Sequence, residues 1–292
     1  MYELIKVTEK CFYVNCPAKI GIVKISDDEV MLIDSGNDKD AGKKVLKILN
    51  ENSLKLKMIV NTHSHADHIG GNRYLSEQTG CKIYAPEKEC PFIENTLLEP
   101  SFLFGAYPMK ALRGKFLMAK ETEAEPLSEG VLPEGFEIIN LAGHSFSMVG
   151  IKTPDNVVFL GDCLSAKETL DKYKIVFIYD VEQYINTLET VKGMTAKMFI
   201  PSHAAASEDI SLLAEYNVEK VKEIADKIKE ICSVPTGFED LLKQIFDEYA
   251  LIMTAEQYVL VGSTVRSYLS YLYDRGEITT RIENNKFLWE TV

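Results

Sequence analysis

Residues 62–68 read Thr62-His63-Ser64-His65-Ala66-Asp67-His68, and three of the chain's five histidines fall inside this run. Leu56–Val60 before it is a short apolar strand, and Ile69–Gln78 after it has the spacing of a helix, closed by Gly80. The run therefore sits on the turn between a strand and a helix. Side chains on an extended turn alternate in direction, so His63 and His65 can reach one point while Asp67 and His68, entering the helix, reach a second. Imidazole and carboxylate are natural ligands for zinc, iron or manganese. A solvated, histidine-rich loop is the plainer reading, and the remaining histidines argue against it. His144 follows Leu141-Ala142-Gly143, and His203 follows Ile200-Pro201-Ser202. Asp162 closes the apolar run Val158-Phe159-Leu160-Gly161. In layered α/β proteins, sites gather at such strand ends.

Further out, the pattern is strand and helix in alternation. Cys11–Val14, Ile20–Ile25 and Val30–Ile33 read as strands, and Asp40–Leu49 as a helix. Lys82–Ala85, Phe136–Leu141, Val149–Lys152, Val157–Leu160 and Lys197–Ile200 are further strands, with Val181–Val191 a helix before the last. Short joins between alternating elements describe an α/β layered fold. Residues 88–134 break the rhythm with five prolines, a dense set of aromatics and an acidic stretch from Glu121 to Glu125. They read as an irregular, partly helical insertion, of the kind that forms a lid or binding loop. After His203 come helices over Leu212–Cys232, Gly237–Tyr249 and Ser263–Tyr273, then two β-like runs, Ile278–Ile282 and Lys286–Thr291, around a Glu283-Asn284-Asn285 turn.

The composition of the 292 residues is that of an ordinary globular protein, with 46% hydrophobic and 26% charged residues. No apolar run approaches the ~20 residues that cross a bilayer. The first residues lack a signal-peptide pattern, so the expectation is a cytoplasmic protein without membrane contact. A net charge of −12 opposes broad attraction to nucleic acid or anionic membranes. Six cysteines (Cys11, Cys16, Cys81, Cys90, Cys163 and Cys232) form no Cys-x-x-Cys pair and read as free buried thiols, with only Cys163 placed beside the chemistry through Asp162.

The His-x-His-x-Asp-His run, the later Gly143-His144 and Gly161-Asp162 steps and the final histidine in Pro201-Ser202-His203 resemble the metallo-β-lactamase superfamily, in the same order. Ile33-Asp34-Ser35-Gly36 resembles a further element of that family, whose aspartate orients the motif loop. The resemblance covers about residues 1–206. It implies an αββα sandwich, two mixed sheets packed between helices, as the catalytic domain (1–206, with 88–134 a lid-like insertion), and a C-terminal helical, winged-helix-type region (207–292). It also implies that His63, His65 and His144 bind a first metal, that Asp67, His68 and His203 bind a second, and that Asp162 bridges them. Zinc is the first choice of ion, with iron or manganese as alternatives. A hydroxide bridging two such ions is available at neutral pH and can attack a carbonyl. Asp67 can take or pass a proton, and Asp34 orients a ligand from behind. Two departures stand out. After His144 the chain reads Ser145-Phe146-Ser147-Met148, where the family usually has a proline or similar residue and then Gly-Ser. The last motif is Pro-Ser-His-Ala in place of the commoner Pro-Gly-His-Gly.

Among branches, the resemblance favours glyoxalase II-like thioesterases, lactonases and the β-lactamase-like protein 2 group. True β-lactamases generally lack the aspartate matching Asp162. The large domain of β-CASP nucleases has no room in the 41 positions between Asp162 and His203. The expected reaction is hydrolysis of an ester, thioester or lactone by a dinuclear centre. The alternatives are a metal-dependent nuclease or phosphodiesterase, and a persulfide dioxygenase with a single iron. Residues 205–292 carry nine basic against sixteen acidic residues. That opposes a nucleic-acid partner, and the expectation is that the tail packs on the catalytic domain or on a second copy in a homo-oligomer. The substrate is a small molecule. Lys110, Arg113 and Lys115, set among Phe104, Tyr107, Met109, Phe116 and Met118, would suit an anionic one. A solvated helix face with its apolar residues packed down is the stronger reading of that cluster.

Overall fold

The computed structural model describes residues 2–292. The chain begins as an antiparallel meander of β1 (Glu3–Lys6), β2 (Cys11–Asn15), β3 (Ile20–Lys24) and β4 (Glu29–Ile33). Helix α1 (Lys39–Glu51) carries it to β5 (Lys55–Val60), which is parallel to β4. The Asp38 carboxylate starts α1 by accepting from the Asp40 and Ala41 amides, the role acidic N-caps play. Helices α2 (Ala66–Ile69) and α3 (Asn72–Thr79) then lead to β6 (Lys82–Ala85), parallel to β5.

Residues 88–134 are partly helical. They contain α4 (Cys90–Glu94), α5 (Leu98–Phe104), a single 3-10 turn at Lys110–Leu112 and β7 (Glu125–Pro126), which joins the first sheet as its seventh strand beside β6. The second sheet is built from β8 (Glu137–Asn140), β9 (Val149–Lys152) and β10 (Val157–Gly161). After α6 (Lys167–Tyr173) and α7 (Val181–Lys192), it is completed by β11 (Met198–Pro201), giving the order β11-β10-β9-β8. No helix is read over 167–173 from the sequence, because Lys-Glu-Thr-Leu-Asp-Lys-Tyr buries only Leu170 and shows no periodicity.

Three apolar clusters define the layers. Val30 and Leu32 of β4 face Val45, Leu49 and Leu75 of α1 and α3, whereas Met31 and Ile33 face the second sheet at Ile151, Phe159 and Ile200. This is why Val30-Met31-Leu32-Ile33 is a continuous apolar run: a strand covered on both faces has no polar side. On β10, Val157 and Phe159 point to the first sheet, and Val158 and Leu160 to the outer helices. The result is helix, sheet, sheet, helix.

The tail comprises α8 (Ser211–Ile231), β12 (Thr236–Gly237), α9 (Phe238–Glu248), α10 (Ala255–Asp274), β13 (Ile278–Glu283) and β14 (Lys286–Thr291). Its three strands pair in the order β12-β14-β13. Helix α10 starts two turns before the expected Ser263, with the Thr254 hydroxyl accepting from the Gln257 amide as its cap. The misleading residue is Gly262, which lies inside the helix although glycine marks boundaries as readily as interiors. One core runs across residue 206: Met148, Val158 and Leu160 pack in the same cluster as Val221, Ile228, Leu242 and Leu269. The tail thus covers the outer face of the second sheet. Tyr268 is fully buried there, Tyr258 and Tyr271 are partly buried, and Tyr273 is exposed. Among the described residues, no helix is long and apolar enough to cross a membrane.

Candidate metal centre

Parallel strand pairs deliver the polar residues to one end of the sandwich. Ile33 lies opposite Val60, so the chain leaves β4 and β5 at the same level. Just beyond, the Asp34 carboxylate accepts from the Thr62 amide (2.8 Å), the Thr62 hydroxyl (2.9 Å) and His68 Nδ1 (2.8 Å). Asp34 holds a φ of +61° to do so. That left-handed conformation costs a residue with a side chain about 1–2 kcal/mol, and the three hydrogen bonds offset it. On the second sheet Gly161 lies opposite Pro201, so Asp162 and His203 emerge side by side. His144 sits on the β8–β9 turn behind Gly143, whose φ is +122°. A Cβ on Gly143 would lie 2.3 Å from the Tyr184 amide nitrogen of α7, so only glycine allows this turn to dock.

The turns bring the seven expected ligands into two adjoining groups, His63-His65-His144 and Asp67-His68-Asp162-His203. In the first, His63 Nε2 and His144 Nε2 each lie 3.0 Å from His65 Nδ1. Two nitrogens at tetrahedral angles around a zinc ion would be about 3.3 Å apart. In the second, Asp162 Oδ1 is 3.2 Å from His68 Nε2, while His203 Nε2 is 3.2 Å from Asp162 Oδ2 and 3.1 Å from Asp67 Oδ2. Asp162 Oδ2 also comes within 3.7 Å of His144 Nε2, so this one carboxylate touches both groups.

Four of the five imidazoles are anchored by a hydrogen bond on the nitrogen that faces away from the centre. Nδ1 of His63 meets the Thr62 hydroxyl (3.0 Å), that of His68 meets Asp34, that of His144 the Phe177 carbonyl (3.0 Å) and that of His203 the Pro17 carbonyl (2.8 Å). His65 is turned the other way, with Nδ1 inward and Nε2 3.6 Å from the Glu99 carboxyl. Outer acceptors of this kind hold the ring proton outside and leave a bare lone pair inside.

The electrostatics agree. Burial, reinforced by neighbouring imidazoles, pushes His63 well below the usual histidine range, and takes His65 and His144 down to about 4. These three are neutral, as metal ligands must be. In the second group the carboxylates dominate. Asp162 lifts His203 to about 10 against burial, and for His68 burial is outweighed by Asp162, Asp67 and Asp34, which raise it well above the usual range. Burial likewise opposes ionisation of Asp67, but His68 and His203 bring it down to about 2. The group thus demands positive charge. His68 Nε2 and Asp162 Oδ1 are buried with no hydrogen-bond partner, an expensive state for polar atoms unless a cation satisfies both. The donor set therefore fits divalent metal ions.

Two acids escaped the sequence reading. Glu89 is fully buried and accepts four hydrogen bonds: Oε2 from the Ser64 amide (3.2 Å) and hydroxyl (2.6 Å), Oε1 from the Ser145 hydroxyl (2.7 Å) and the Ser147 amide (2.9 Å). It ties the turn carrying His63 and His65 to the turn carrying His144. This accounts for the unusual Ser145-Phe146-Ser147 sequence, in which hydrogen bonds hold a turn that lacks proline and glycine. Glu99, on α5, is buried beside His65, and burial, with Glu89 nearby, lifts it to about 8. Nothing local separates either from the other 42 acidic residues; the serines flanking both ligand turns were the one available hint. Of the three insertion cations only Lys115 reaches the site, and Arg113 instead donates to the Tyr107 hydroxyl (2.9 Å). All six cysteines are free, five of them buried, and burial next to Asp162 raises Cys163 far above the thiol range.

The sequence pattern of the family described as the metallo-beta-lactamase superfamily matches residues 14–203. Hydroxyacylglutathione hydrolase GloC of Haemophilus influenzae is 30% identical over 165 residues, 56% of this chain and 71% of that protein. A hydroxyacylglutathione hydrolase of Prochlorococcus marinus is 25% identical over 213 residues, 71% of this chain and 73% of the relative. Among solved structures, a beta-lactamase domain protein from Burkholderia ambifaria superposes with a TM-score of 0.74 at 13% identity, covering 99% of this chain and 94% of the other. A metallo-beta-lactamase family protein from Thermus thermophilus gives 0.73 at 15% identity over 98% of this chain and all of that one. These likenesses concern the fold, and they extend over the C-terminal region.

Proposed function

The chain belongs to the metallo-β-lactamase superfamily, and we propose that it is a metal-dependent hydrolase of an ester, thioester or lactone-type carbonyl in a small-molecule substrate. The observation that carries this reading is the set of five converging imidazoles, four of them hydrogen-bonded on the outer nitrogen and His65 set beside Glu99, around orphaned inner atoms of His68 and Asp162. The named activity of the hydroxyacylglutathione hydrolases supports the thioester option.

His63, His65 and His144 would hold one divalent ion and Asp67, His68 and His203 a second, with Asp162 available to both; zinc suits this mixture of imidazole and carboxylate best. When bound, the pair supplies acidified water and polarisation of the carbonyl under attack. Asp67, the most open of the ligand carboxylates, takes a proton from the attacking water and returns it to the leaving group. Asp34 fixes the His68 ring and, through Thr62, the His63 ring. In this reading residues 1–206 are the catalytic domain, and 207–292 a winged-helix-type region that braces it; the order α8-β12-α9-α10-β13-β14, with the strands paired β12-β14-β13, supports that description.

Metal analysis of protein purified without added metal tests the proposal first. Two ions per chain support it, whereas one iron per chain with oxygen uptake sinks it. His63→Ala and Asp162→Ala should each abolish turnover of p-nitrophenyl acetate while leaving the circular dichroism spectrum unchanged. Undiminished activity in either refutes the assignment. Turnover confined to bis-p-nitrophenyl phosphate or short RNA would move the enzyme to the phosphodiesterases.

A further inference from the structure

A cavity of about 330 Å³ opens directly over His65, Ala66 and Asp67. Its walls come from four distant parts of the chain: Pro17 and Ala18 from the β2–β3 turn, Phe116 and Leu117 from the insertion, Phe177 from the segment between α6 and α7, and Leu260 of α10. The surface presented to whatever binds beside the metals is therefore mostly hydrocarbon and aromatic ring.

Positive charge is scarce there. Among the described residues lining the cavity, Lys115 is the one cation; it is 86% exposed and lies 3.6 Å from the Asp38 carboxylate. Lys19 is nearby but is turned onto the backbone carbonyls of Pro201, Ser202 and Ala204. Arg113 is stacked on the Tyr107 ring and donates to its hydroxyl. Glu99 adds an acid to the wall, and in neither protonation state does a carboxyl offer positive charge. A glutathione conjugate carries two carboxylates and one ammonium group. Holding it calls for dedicated cations, because a desolvated carboxylate without a partner is costly.

Taking the hydrolase reading as its premise, we propose that the substrate is a neutral carbonyl compound whose apolar chain or ring, of medium length, fills this cavity, and that it is not a glutathione thioester. The cavity is at the small end of ligand pockets, which suits a medium-chain acyl group. Each methylene taken from water into it should raise kcat/KM about two- to four-fold until the space is full.

The test uses the zinc-reconstituted 292-residue chain with p-nitrophenyl acetate, butyrate, hexanoate and octanoate, alongside S-lactoylglutathione. The expected result is a rise of at least about ten-fold in kcat/KM from acetate to hexanoate, with S-lactoylglutathione below hexanoate. Phe116→Glu, at a position that is 64% exposed and so tolerant of change, should flatten that rise; Leu260→Asp should do the same from the opposite wall. A flat wild-type series, an unchanged slope in Phe116→Glu, or a preference for S-lactoylglutathione overturns the inference. Acetate turnover reports the hydrolase reading separately. Acetate cleaved with a flat series removes only the substrate class, whereas no cleavage of any substrate removes both.

Discussion

Replacing Glu89 by glutamine should damage the centre although it changes neither size nor shape. The carboxylate accepts from two backbone amides, one on each of its oxygens: Ser64 on Oε2 and Ser147 on Oε1. Glutamine has a single acceptor oxygen. Whichever way the amide is turned, the serine hydroxyls can rotate to accept from its NH2, but one backbone N–H is left facing a donor. A buried N–H without an acceptor costs about 1–3 kcal/mol, and the surviving bonds weaken from charge-assisted to neutral strength. The expected loss is about 2–4 kcal/mol in urea unfolding. The second readout is metal affinity. Ser64 lies between His63 and His65, and Ser145 follows His144, so slackening here separates the three nitrogens now 3.0 Å apart along two edges. Losing such an outer support typically lowers affinity about 10–100-fold, measurable by competition with a chromophoric chelator. A Glu89→Gln protein within about 0.5 kcal/mol of wild type, the range of a neutral surface change, and with unaltered zinc affinity would refute the reasoning.

Two further outcomes follow from the same geometry. Asp34→Asn leaves one acceptor oxygen for three donors, so either the Thr62 amide or His68 Nδ1–H loses its partner; zinc binding should weaken about 10–100-fold, and an unchanged affinity would show that Asp34 does not orient the ligands. Gly143→Ala forces a Cβ to within 2.3 Å of the Tyr184 amide nitrogen at a φ of +122°, so the unfolding free energy from urea titration should fall by at least about 2 kcal/mol, and a wild-type value would mean the turn can shift freely.

The seven ligand candidates were legible in the chain because ligand chemistry and strand ends both leave local marks. His63, His65, Asp67 and His68 sit within six residues, and His144, Asp162 and His203 each close an apolar run. The alternation of strands and helices was legible for a similar reason, since a short apolar run such as Val30-Met31-Leu32-Ile33 after the Asp27-Asp28 turn signal reads as a strand, whereas the burial of both its faces was decided by the packing. What the chain could not disclose is which groups meet from afar. Glu89 lies 25 residues from Ser64 and 56 from Ser145, and no periodicity marks an acid that will accept four hydrogen bonds. Neither does local sequence bring Leu260 of the tail to the same cavity wall as Pro17 and Leu117. The chemistry of the centre follows from side-chain identity and short-range spacing, which sequence records directly. The rigidity of the centre and the polarity of the space above it depend on long-range packing, which is decided only when the two sheets and the tail close on one another.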